Sequence, residues 1–231
     1  MKPIFRWTYG DNCLPISIKV LEASVDSVLT FYKNEFDFYI CYNCENQNKI
    51  DLIKSICKKY KIQDFKQTWS LSFIQKSKPV NYEPILKFHE YFTGSIWKIC
   101  PPRIDISRHE IICDNDIIFF SKIAEVKQFI DRSDVNLILE DLSAFYGDFD
   151  FLHKKDTFFN SGFFGMCPGF DMEKHLNQVW TKYPKNYITY ADEQGMLTKA
   201  ITAKDYILIK NTDFPILQSD FAKSLNFFKN K

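Results

Sequence analysis

The sequence predicts an α/β fold, a sheet carrying helices on both faces. Apolar runs of strand length alternate with segments of helical apolar period over about 200 of the 231 residues, and such alternation builds a sheet covered by its crossover helices. No repeat, low-complexity tract or linker interrupts the pattern. One domain spanning residues 1–231 is therefore expected, since a chain of this length buries a substantial core.

Residues 4–9 read as an opening strand that ends in the polar turn Gly10, Asp11, Asn12. From Pro15 to Tyr32, Ile18, Leu21, Val25, Val28, Leu29 and Tyr32 keep a helical period, and Pro15 suits a first helical turn. Phe36 to Cys41 is a nearly continuous apolar run, as in a strand covered on both faces. Ile50, Ile53, Cys57 and Tyr60 mark a second amphipathic helix, whereas residues 61–95 carry Pro79 and Pro84 and few clear periods. Ile111 to Cys113 then reads as a short buried strand, Ile117 to Phe120 as another apolar piece, and Ile123 to Ile130 as a short helix. Asn136 to Leu139 is a strand, Phe158 to Met166 a strand broken by glycines, and Met172 to Tyr183 a helix. Glu193 to Ile201 is helical and Tyr206 to Ile209 is the last strand.

Composition narrows the function classes. Thirty basic side chains against 29 acidic ones leave a formal charge of +1, without the broad positive footprint of a nucleic-acid coat. Hydrophobic residues at 45% exclude intrinsic disorder. No run approaches the ~20 apolar residues that span a bilayer, and the first residues lack a signal peptide's apolar stretch and cleavage site. Seven dispersed cysteines suit reduced thiols, so a cytoplasmic protein is expected. Membrane contact is at most peripheral, through Phe221, Leu225, Phe227, Phe228 and the lysines beside them, and the alternative is an amphipathic helix packed on the domain. Twenty-three Phe and 12 Tyr supply the core, beside only seven Gly. Gly162, Gly165 and Gly169 fall within eight residues.

α/β sheets hold ligands beyond the carboxyl ends of their strands, where strand order reverses. Cys113-Asp114-Asn115-Asp116-Ile117 places two carboxylates between apolar runs, at the end of a buried strand. Paired hard oxygen donors suit Mg²⁺ or Mn²⁺, which keeps its other positions for water and phosphates; a polar β-turn is the plainer alternative. Upstream, Lys98 and Arg103 flank a rigid Pro-Pro. They are either cations for a diphosphate leaving group or surface charges. Downstream, Asn160, Ser161 and Gly162 interrupt an aromatic strand, as a packing bulge or as a close backbone approach to a ligand. Finally Asp192, Glu193 and Gln194 open a helix, either as cap and first-turn acid or as catalytic acid/base and sugar-hydroxyl ligand.

In this order the segments resemble the GT-A fold of nucleotide-sugar glycosyltransferases, a Rossmann-like central mixed sheet flanked by helices, and most closely the pattern of family 8. The resemblance covers roughly residues 4–202, with Asp114 and Asp116 as its D-x-D anchor. It implies a nucleotide-binding half at about 1–120 and an acceptor half at about 121–231. It implies a divalent cation, Mn²⁺ or Mg²⁺, on Asp114 and Asp116, with Asn115, Lys98, Arg103, Tyr9 and Asp11 on the nucleotide and diphosphate. Asn160, Ser161, Gly162 and Gln194 match the sugar and acceptor side, Tyr146 and Gly147 the acceptor groove, and Asp192 or Glu193 the catalytic carboxylate. The implied partners are a UDP- or GDP-sugar donor and a glycan, glycoconjugate or lipid-linked acceptor, and no nucleic acid. Two departures stand out: a Glu is inserted into the D-Q motif, and no His follows His175, where family 8 adds a late metal-binding His.

Three rivals are weighed on other features. A nucleotidyltransferase needs a glycine-rich basic loop after the first strand, and Gly10-Asp11-Asn12 is not one. Cys41-Tyr42-Asn43-Cys44 has the spacing of a redox motif. A catalytically silent module on the same scaffold is the third, since fold alone does not establish function.

Overall fold

A computed structural model describes residues 1–10, 16–42, 44–66, 103–143, 146–152, 158–183 and 190–212. Strand β1 (Ile4–Tyr9) leads into α1 (Ser17–Tyr32), β2 (Asp37–Tyr42), α2 (Gln47–Tyr60) and β3 (Gln63–Lys66). Further along the chain come β4 (Glu110–Cys113), α3 (Ala124–Ile130), β5 (Asn136–Glu140), a 3₁₀ helix (Gly147–Leu152) and β6 (Phe159–Met166). The chain then forms α4 (Met172–Lys182), α5 (Tyr190–Ile201) and β7 (Tyr206–Ile209). One seven-stranded sheet collects every strand in the order β3-β2-β1-β4-β6-β5-β7.

Only β6 runs antiparallel to its neighbours among the described strands. The carboxyl ends of β1, β2, β4, β5 and β7 therefore share one edge with the amino end of β6. Strand order reverses between β1 and β4, and ligand crevices open at such a reversal.

Strand β1 is central, and all six of its residues are buried. Phe5 and Trp7 lie on one face of it, where the Trp7 indole donates to Ser24 Oγ of α1 at 2.9 Å. Phe5 meets the rings of Phe36, Phe38, Phe119 and Phe163 at centroid distances of 5.6–6.2 Å. Edge-on and tilted ring pairs of this kind add to area burial, and they give the aromatic excess a structural use.

Arg6, on the opposite face of β1, is fully buried and pairs with Glu110 of β4 at 2.8 Å. Arg103 joins them, its Nε 3.4 Å from Glu110 Oε2. The Glu110 carboxylate also accepts the Ile104 N–H at 2.9 Å. Such a group of buried charges is tolerable because opposite charges pair within it.

The structure adds one strand and shows what the apolar piece after β4 does. β3 was not expected, because Gln63–Lys66 is a mostly exposed edge strand with no apolar period to reveal it. Ile117–Phe120 forms no strand: α1 hydroxyls take its backbone instead, Ser24 donating to Ile117 O and Ser27 Oγ accepting from Phe119 N–H. Helix α5 begins at Tyr190, three residues before the expected start. The C-terminal aromatic and lysine segment and Pro15 lie outside the described residues. No helix among the described residues is long and apolar enough to cross a membrane.

The redox reading does not fit its thiols. Cys41 is buried within β2 and Cys44 just after it. Burial pushes the Cys41 thiol up to about 11 and that of Cys57 up to about 12, whereas a reactive cysteine needs a lowered value. Alkylation of the native protein at pH 8 is expected to spare Cys41, Cys44, Cys57, Cys113 and Cys167, all buried and none in a disulfide. Mass mapping of the labelled sites checks this. Glu110→Ala should destabilise by about 3–5 kcal/mol, since it leaves buried Arg6 without its carboxylate. Urea unfolding measures it, with the exposed pair Lys127–Asp131 as a control whose loss changes little.

Candidate functional site

The carboxyl edge of β4 supplies the first acid. Asp114 leaves the strand in a turn closed by the Ile117 N–H on its carbonyl at 3.4 Å, while its own N–H donates to Gly162 O at 2.7 Å. The plainer reading of Asp114–Ile117 as a polar turn is thus correct as local geometry, and it does not exclude a second use. Asp114 and Asn115 are half-buried and Asp116 is exposed.

The absent side chain of Gly162 lets two oxygens approach one point. A Cβ there would stand 2.9 Å from Asp114 Oδ2 and 2.8 Å from Asn160 Oδ1. Asn160 folds back so that its Oδ1 accepts the Gly162 N–H at 2.7 Å, and its Nδ2 donates to Asp141 Oδ2 at 3.1 Å. Gly165 has a different use. Its space is filled by the Phe129 ring and Leu137, so it is a packing glycine and makes no room for a ligand.

A register change joins this group to α5. Ile138 of β5 pairs with Phe164, but the next residue, Leu139, pairs with Asn160. The bulge leaves Ser161, Gly162 and Phe163 without partners on β5. Gln194 Oε1 receives the Ser161 N–H at 3.3 Å and lies 3.4 Å from its hydroxyl, which donates to it. The other end of the same amide, Nε2, donates to Asp141 Oδ2 at 3.1 Å.

Asp141, at the end of β5, is therefore the hub. It is 8% exposed, and its second oxygen accepts the Leu142 N–H at 2.7 Å. Sequence reasoning missed it, although the same sign was present: Leu137-Ile138-Leu139-Glu140-Asp141 is an apolar strand ending in acids, as Ile111 to Asp114 is.

Asp192 lies in the first turn of α5, and its Oδ1 accepts the Asp148 N–H at 2.6 Å. Gly147, in the left-handed region at φ 53°, faces that oxygen closely; a Cβ would sit 2.1 Å from it. Glu193, beside it, is also buried.

Several expected contacts are corrected by their placement. Arg103 is at the amino end of β4, held by Glu110 and by the carbonyls of Cys167, Phe170, Asp105 and Arg108. It braces the far edge of the sheet and does not face Asp114. Burial lowers its pKa. Tyr9 does end β1, but its ring is buried and its hydroxyl lies 3.4 Å from Ser17 Oγ, so the side chain points into the protein. Tyr146 is likewise buried, its hydroxyl accepting the Phe159 N–H, and burial pushes that phenol up to about 12. It ties the 3₁₀ helix to the start of β6 instead of lining a groove. Asp11 and Lys98 lie outside the described residues. His175, on α4, stacks on Phe170 with ring centroids 4.5 Å apart.

Asp114, Asn160, Ser161, Gly162 and Gln194 are thus brought together, through Asp141. The Asp114 carboxylate and the Asn160 amide oxygen near one point are hard donors, which suit Mg²⁺ or Mn²⁺ that retains water and phosphate ligands. Among the described residues no group of three or more His, Cys, Asp or Glu completes a shell by itself.

No family model and no curated protein matches this chain. Solved structures do. Mouse xyloside xylosyltransferase 1 matches with a TM-score of 0.59 at 14% identity, over 92% of this chain and 86% of that one. The glycosyltransferase GlyE of Streptococcus pneumoniae matches with 0.54 at 13% identity; this chain is covered completely but spans 50% of GlyE. The galactosyltransferase LgtC, in a complex with donor and acceptor sugar analogs, matches with 0.55 at 12% identity, over 90% of this chain and 73% of LgtC. At such identities the likeness is one of fold. The mixed seven-stranded sheet with its flanking helices is the GT-A fold that these glycosyltransferases share.

Proposed function

We propose that this chain is a metal-dependent glycosyltransferase, moving a sugar from a UDP- or GDP-sugar to a hydroxyl of a glycan, glycoconjugate or lipid-linked acceptor. The observation that carries the reading is the convergence of Asp114 Oδ2 and Asn160 Oδ1 on the space over Gly162. A carboxylate oxygen and an amide oxygen are hard donors of the kind that Mg²⁺ and Mn²⁺ take. The convergence occurs at the carboxyl edge where strand order reverses, the place at which such sheets hold ligands, and the matched xylosyltransferase and galactosyltransferase share the fold.

In this reading Asp114 and Asp116 hold Mn²⁺ or Mg²⁺, which when bound neutralises charge growing on the departing nucleoside diphosphate. Asn160 and Ser161 line the sugar side. Gln194 orients the sugar through an amide already fixed at both ends, so little reorganisation is needed when charge develops. Glu193, next to Gln194 on the helix, is the acid we assign to the acceptor proton. Asp141 keeps Asn160 and Gln194 in register with one another.

Titration calorimetry with UDP and GDP, with and without Mn²⁺, and release of free nucleotide from a panel of sugar donors test the proposal. Metal-dependent binding with turnover is expected, and Asp114→Ala should abolish both while the fold persists. Binding without turnover would favour a silent sugar-binding module, and neither would overturn the proposal. Asp141→Ala should lower kcat by about 100-fold, because it releases two positioning side chains, with nucleotide affinity nearly unchanged. Steady-state kinetics alongside calorimetry separates the two effects.

A further inference from the structure

We propose that Asp192 is a positioning residue: its carboxylate caps the 3₁₀ helix and thereby holds Gln194 against Asp141 and Ser161. The inference rests on the glycosyl-transfer reading for its kinetic consequence, but its geometry stands apart from that reading.

Helix α5 meets the 3₁₀ segment at two places where no side chain fits. Gly147 has the Asp192 carboxylate where its Cβ would be. Gly195 has the Tyr146 carbonyl 2.4 Å and Phe149 Cβ 2.8 Å from its own missing Cβ. Residues 192 and 195 are three apart and so share a helix face. Between them the Asp192 carboxylate accepts the Asp148 N–H at 2.6 Å, with Asp192 only 1% exposed.

Gln194 points elsewhere. Two residues on from Asp192 it faces away from the 3₁₀ helix and reaches β5 and β6 through bonds of 3.1–3.4 Å. A helix turn is stiff, so the rotation and height fixed at residues 192 and 195 are also those of residue 194. Bonds already at 3.1–3.4 Å do not survive a further slide of about 1 Å. Tyr146 closes the loop, since its hydroxyl accepts the N–H of Phe159, next to Asn160. The 3₁₀ helix, α5 and the start of β6 are thus fastened to one another, and Asp192 is the polar link on α5.

A cap needs an acceptor oxygen, whereas a general base needs a carboxylate that can take a proton. Asparagine and aspartate serve almost equally as caps, so D192N and D192A distinguish the roles. The readouts are donor turnover and the side-chain amide resonances of Gln194, assigned by their loss in Gln194→Glu. D192N should keep kcat within about threefold and leave the Gln194 resonances in place. D192A should lose about tenfold or more in kcat with donor KM within about threefold, and should shift those resonances. D192N as inactive as D192A, with Gln194 unmoved in both, would overturn the proposal. So would an unmoved Gln194 in D192A. If D192A does not fold, an active D192N still excludes an acid-base role and supports the cap. If the unaltered protein turns over no sugar donor, the glycosyl-transfer reading fails, and the Gln194 resonances alone decide the positioning role.

Discussion

A carboxylate almost shut off from water must be surrounded by donors, and the site depends on how Asp141 meets that requirement. Its donors come from its own successor Leu142, from Asn160 of β6 and from Gln194 of α5. Bonds to an ionised acceptor are stronger than neutral ones, so each donor is firmly oriented. The remaining atom of each amide is then committed as well, Asn160 Oδ1 to Gly162 N–H and Gln194 Oε1 to Ser161. One buried charge thus sets the directions of two side chains and the backbone between them.

The opposite edge of the sheet uses charge differently. Arg6, Glu110 and Arg103 form a closed group at the amino end of β4, where their partners are each other and backbone carbonyls. From Glu110 the strand carries the chain to Asp114, which at about 3.3 Å per residue is about 13 Å away. Two acids four residues apart consequently do different work: Glu110 is paired inside the protein, and Asp114 stands half-buried at the carboxyl edge of the sheet.

Much of the fold was legible because periodicity reports burial. β1 is fully buried, α1 and α2 present one apolar face, and the edges of β5 and β7 are marked by polar residues. β3 escaped because a polar edge strand has nothing to bury on its outer side. At the site, Asp114, Asn160, Gly162 and Gln194 were recognisable as polar interruptions of apolar segments. Tyr9, Tyr146 and Arg103 were misread for one reason: a polar tip on a long side chain says nothing about whether that tip meets a ligand or the protein's own backbone. Here each meets the protein. Asp141 escaped for the converse reason, because its importance lies in bonds to residues 19 and 53 positions further along the chain, which no local pattern displays.

The scarcity of glycine follows from the same packing. Large rings fill the interior, so a residue without a side chain is needed only where another segment comes too close for a Cβ. At Gly165 the intruder is the Phe129 ring, and the contact is purely one of packing. At Gly195 it is the Tyr146 carbonyl, which docks one helix on another, and at Gly147 it is the Asp192 carboxylate. Gly162 differs from these because its space is approached by two acceptor oxygens from separate strands. Asn160 Oδ1 takes the nearby Gly162 N–H, which fixes one of the two oxygens in place. The missing side chain at Gly162 thus lets the Asp114 carboxylate come close to β6, so this glycine makes room for an acid where Gly165 makes room for a ring.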